Sequence, residues 1–146
     1  MIRKNSNSDI YNRVTPPQFD SSLLGKNSTA YVNGDPIKAV SGVATAAGAT
    51  GEIYGFIRTN EKDGTGTFAS DNETVGLLKV TVELADPTNL YILRTDGSTP
   101  VIGALYKLEA DRDVDVSAGV QTTDAQVQVV KNLGNGFVAV RVLQSK

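Results

Sequence analysis

From Ala30 onward the chain is a succession of short runs rich in Val, Ile and Thr, each closed by Gly, Asn, Asp or Pro. Branching at Cβ suits a pleated strand better than a helix, and the closing residues supply the left-handed or fixed backbone that turns need. With 17 Val and 14 Thr among 146 residues, extended backbone is the expectation. The spacing predicts an all-β chain, an antiparallel β-barrel or β-sandwich of about eight strands with an extended N-terminal arm. Strand cores are expected near 30–32, 37–45, 51–59, 75–84, 89–94, 101–109, 125–131 and 136–143. Residues 120–128 fit a helical period as well as the start of a strand.

Within 75–84, alternation places Leu78, Val80, Val82 and Leu84 on a core face and Val75, Leu77, Lys79, Thr81 and Glu83 on the other. Asn132-Leu133-Gly134-Asn135-Gly136 between two Val-rich runs reads as a hairpin turn. Further turns are legible at 33–36, 85–88 and 95–98. The polar stretch 60–74 reads as a long excursion of the kind that often binds things.

Residues 1–29 differ from the rest, and they are expected as an arm separate from a β-domain spanning 30–146. They follow neither strand nor helix period, and Pro16-Pro17 imposes extended backbone. Arg3, Lys4, Arg13 and Lys26 against Asp9 and Asp20 leave this segment at +2, and 30–146 at −4, within a total of −2. Its scattered anchors Ile10, Tyr11, Arg13, Val14, Phe19, Leu23 and Leu24 are too few for a core but suit docking on a surface.

With no His and no Cys, the chain lacks imidazole bases, thiolate nucleophiles, disulfides and zinc-finger ligand sets. A pI near 5.1 provides no overall positive field for nucleic acid or an anionic membrane. The basic start is not followed by an apolar run of secretory length, which reads as a soluble, intracellularly made protein. Asp111, Asp113 and Asp115 alternate like the opening of a calcium loop, but the sixth and twelfth positions are Val116 and Thr122 where Gly and a bidentate acid are required. Solvated carboxylates on a strand edge are the favoured reading. Asp63-Gly64-Thr65-Gly66-Thr67 lacks both a Walker lysine and a complete GxGxxG, so turn formation explains its glycines. No residue earns a catalytic, cofactor or metal assignment. A hydrolase built on paired acids would require a carboxyl with a raised pKa in a deep pocket.

The segments Tyr31-Val32-Asn33-Gly34-Asp35-Pro36-Ile37, Val82 to Leu93 through Asp86-Pro87-Thr88-Asn89, Gly103-Ala104-Leu105-Tyr106-Lys107-Leu108, and the closing 127–142 hairpin carry a resemblance. Together with the polar arm, they make the chain resemble the capsid decoration, or cement, proteins of tailed bacteriophages. The resemblance implies a non-enzymatic virion protein on the capsid exterior, made in the host cytoplasm. Its implied partners are the major capsid protein and neighbouring copies of itself, by analogy a trimer, with neither nucleic acid nor membrane. A receptor- or carbohydrate-binding β module, or another tail or neck component, is the alternative expectation.

Overall fold

A computed structural model describes residues 8–49, 51–59, 67–76, 78–109 and 113–143. Among them eleven strands form two sheets: β1 (Ser8–Asn12), β2 (Phe19–Asp20), β3 (Leu24–Gly25), β4 (Pro36–Val40), β5 (Val43–Ala46), β6 (Gly55–Thr59), β7 (Thr81–Leu84), β8 (Leu90–Arg94), β9 (Leu105–Tyr106), β10 (Val127–Gly134) and β11 (Phe137–Val142). The first sheet runs β1-β8-β11-β10-β9 and the second β2-β7-β6-β4-β5-β3. Of the two architectures expected, the fold is therefore the sandwich. The sheets do not close into a barrel, and one pair, β3 with β5, is parallel.

Two cores result from the alternation of side chains across the second sheet. Phe56 and its neighbours face the first sheet, where Tyr91, Leu93, Val127, Val129, Val138, Val140 and Val142 meet them in one buried cluster. The Phe56 and Tyr91 rings lie 4.5 Å apart. Ile37, Ala44, Ile57 and Val82 face the other way, into a second cluster closed by Leu23, Tyr31, Phe68 and Val80. Tyr31 and Phe68 meet edge to face at 5.7 Å, and the ring of Phe68 lies where a Cβ on Gly25 would fall, 2.3 Å away.

The expected strand at 37–45 is two, β4 and β5, because Ser41 and Gly42 adopt left-handed backbone and fold it into a hairpin. The expected strand at 75–84 begins only at Thr81. Its first residue instead ends α1 (Asn72–Val75), a single turn stopped by Gly76 at φ 72°. Residues 30–32 form no strand, residues 120–126 form no helix, and β9 keeps only two residues of 101–109. The 127–142 hairpin forms with Asn135 and Gly136 at positive φ in its turn.

The largest difference concerns the N-terminal segment. It is extended, and its strands complete this chain's own sheets. β1 pairs with β8, β2 with β7 and β3 with β5, so residues 8–25 run along the edges of both sheets.

Candidate functional site

The N-terminal segment and the surface that receives it share an arrangement of buried and half-buried polar groups. Side chains of the body clasp the segment, among them those of Asn89, Glu83 and Tyr54. Asn89, 1 % exposed, accepts from the amides of Val14 (2.7 Å) and Thr15 (2.8 Å) through Oδ1 and donates from Nδ2 to the Thr15 carbonyl (3.0 Å). Glu83 is buried on β7 directly across from Phe56, on the inner face of its sheet. It accepts from Arg13 Nη1 at 2.9 Å and from Arg58 Nε at 2.9 Å. Tyr54 donates its hydroxyl to Asp20 at 2.5 Å.

The electrostatics follow from these contacts. Burial pushes the Glu83 carboxyl up, but the guanidiniums of Arg13 and Arg58 more than reverse it and hold the group below its ordinary value of 4.5. The Arg58 guanidinium also lies 5.8 Å from the Phe56 ring centre. Hydrogen bonds from the Ser22 hydroxyl, Tyr54 and the Ser22 amide hold Asp20 low, and the bond to Asp20 raises the Tyr54 phenol.

The sequence-selected anchors divide into two sets. Ile10 packs against the inter-sheet core, Leu23 lies in the second core and Arg13 is engaged with Glu83. Leu24 is half-buried in β3, its amide donating to Gly42. Val14 and Phe19 point outward, 69 % and 55 % exposed. Tyr11 is half-exposed at a β-bulge, where the extra residue re-aims the side chain. Its ring lies 5.7 Å from Lys131 Nζ on β10. Since β8 and β11 separate β1 from β10, the pair reaches across the outer face where Ile92 and Ala139 are buried.

A second cluster lies at the far end of the sandwich. Asp96, Glu109 and Asp115 each place a carboxylate oxygen within 4.8 Å of the others, oxygens of the kind a hard cation takes. Of the run that suggested a calcium loop, Asp111 and Arg112 lie outside the described residues, and Asp113 pairs with Arg94 at 3.3 Å. Of the described acids of that run, Asp115 joins the cluster. Asp96 is held by the amides of Ser98 (3.0 Å) and Ser117 (2.8 Å), and Asp115 accepts from Ser117 Oγ and the Ala118 amide. Burial pushes the Asp96 carboxyl up, but those amide and hydroxyl donors outweigh it and hold it at about 2. Such contacts tie two loops together.

The carboxyls of Asp20, Glu83, Asp86 and Asp96 are each shifted down. A general acid near neutral pH requires the opposite. Of the 60–74 excursion, residues 60–66 and with them most of the glycine-rich motif lie outside the described residues. The remainder supplies Phe68 to the second core and carries α1. Grooves among the described residues include one of about 330 Å³ beside Tyr31, Ile37 and Lys26, a polar one of about 170 Å³ between Thr95, Ser98, Asn132 and Asn135, and a smaller one of about 130 Å³ between Pro16, Pro17, Leu84 and Asn89.

Sequence reasoning missed Asn89, Glu83, Tyr54 and Asp96 as members of these arrangements. Asn89 carried a weak signal, an Asn immediately before the apolar run Leu90–Leu93. Glu83 carried none nearby, since its partners lie 70 and 25 positions away. Comparisons with protein-family models, curated proteins and solved structures find no match to this chain.

Proposed function

We propose that this chain is a non-enzymatic virion protein that decorates and stabilises a bacteriophage capsid from outside, meeting the major capsid protein and neighbouring copies through its N-terminal segment. The observation that carries this reading is the division within that segment. Ile10, Arg13 and Leu23 fix it to a folded scaffold, while Val14 and Phe19 stay exposed at 69 % and 55 %. Large apolar side chains held outward by a rigid backbone lose little entropy on docking, so their burial goes largely into affinity. Repetition over a symmetric shell multiplies a weak contact into a firm one. The downward shifts of the carboxyls favour binding and structural roles over acid–base chemistry.

The test is electron microscopy of candidate capsids mixed with the wild-type chain or with the V14S/F19S variant. The reading predicts ordered density on the shell exterior for the wild type and its loss in the variant, with the thermal midpoint of the free protein nearly unchanged. Full incorporation of the variant contradicts the role given to these side chains, and density confined to a tail or neck moves the protein there. One observation favours a glycan-binding reading. The groove between Thr95, Ser98, Asn132 and Asn135 is lined by neutral hydroxyl and amide groups, which match sugar hydroxyls in hydrogen-bonding character. Glycan-array binding abolished by N132A would support that alternative.

A further inference from the structure

We infer that β1 is exchangeable between copies of this chain, each copy laying residues 8–15 on the β8 edge of a neighbour. The inference goes beyond capsid docking and needs no capsid.

Contacts that hold residues 8–15 are made with positions far along the sequence. The β1 ladder is with β8, Arg13 pairs with Glu83, Thr15 meets Thr88, and both Val14 and Thr15 are bound by Asn89. The receiving surface is thus assembled without the connection that joins the segment to its own body. An identical segment from a second copy makes the same contacts, which is the condition for exchange of an element between protomers.

The connection itself is suited to exchange. Pro16 and Pro17 are exposed and have no amide to donate, and the first backbone bond beyond them is from the Leu84 amide to the Gln18 carbonyl. Two prolines hold the connector extended, a form that serves equally whether the segment lies on its own body or on a neighbour's, so exchange requires no bend to be undone. Simple release of the segment is a poor alternative to either state. It would strip Asn89 of its three bonds to the segment and Glu83 of its Arg13 partner. The surface is therefore filled by the chain's own β1 or by a neighbour's, and local concentration sets the balance.

The chain has no cysteine, so a disulfide reports the partner unambiguously. Asp9 opposes Ile92, and Asn12 opposes Leu90. Full-length D9C and I92C chains, and separately N12C and L90C chains, are refolded together at high concentration, oxidised mildly and run without reductant, with each single variant oxidised alone as control. Light scattering of the wild type accompanies them. The expected results are a concentration-dependent oligomer of the wild type and disulfide-linked dimers in at least one mixed pair beyond those of the single variants. A wild type that stays monomeric at every concentration overturns the inference. So does an oligomer that yields no mixed disulfide at either pair, because its contact then lies elsewhere. Either outcome leaves the capsid reading standing, as loss of capsid docking leaves the exchange standing.

Discussion

Three buried amide side chains do the work of missing backbone partners. Asn89 serves Val14 and Thr15. Gln126, 1 % exposed, accepts from the Leu108 amide and donates to the carbonyls of Gly48 and Gly51, tying the two sheets together. Asn72 donates to the carbonyls of Gly25 and Leu78 and accepts from the Leu78 amide. Asn89 and Gln126 stand just before strands and Asn72 opens α1, each beside backbone groups that the ladders leave unpaired, and an amide carries both donor and acceptor. Q126A is expected to cost about 1–3 kcal/mol in denaturant unfolding, since it strands three backbone groups. Glu83 gives a pH signature. Its folded value is depressed, so its contribution is complete above its ordinary 4.5 and is lost as pH falls through the lower folded value. Unfolding midpoints should fall below that point in the wild type, and the fall should be shallower in E83Q. Asp96 acts in the same sense between 3.8 and about 2. These roles were poorly legible in the sequence, because polarity alone does not distinguish a buried Gln from a solvated one and each partner comes from another part of the chain.

Element types were more legible than element extents. The β10–β11 hairpin followed from Asn-Gly between Val-rich runs, because turn chemistry and alternation are both local. Alternation also placed Val80 and Val82 in the core, where they are 1 % and 0 % exposed. The same alternation put Glu83 on the solvent side. The second sheet is covered on both faces, so its nominal outer side chains meet the first sheet, and a polar residue there needed ionic partners that no local pattern reveals. Close approach at β6–β7 provides a further test. A Cβ at Gly55 would lie 2.3 Å from the Glu83 carbonyl oxygen, a backbone atom that cannot swing aside. G55A is expected to destabilise by about 1–3 kcal/mol or more by forcing the strands apart, measured as a lowered denaturation midpoint.

At the scale of the whole molecule, the sequence reading expected a two-part chain, and the strands join the parts. Over residues 8–25 the segment gathers its strands two to five residues at a time along different edges. Such pairing imposes little period of its own. Removal of residues 2–25 would strip an edge strand from the first sheet and both edge strands from the second, and take Leu23 from the second core. The truncated chain is expected to show a much lower unfolding midpoint and exposed apolar surface by dye binding, where a detachable arm would leave both unchanged. The central claim is that the segment is part of the fold, held by Asn89. Native-state hydrogen exchange at the Val14 and Thr15 amides tests it most directly, because both donate to that one side chain. The account predicts slow exchange in the wild type and its selective loss in N89A while β10–β11 amides stay protected. Exchange at free-peptide rates in the wild type would contradict it.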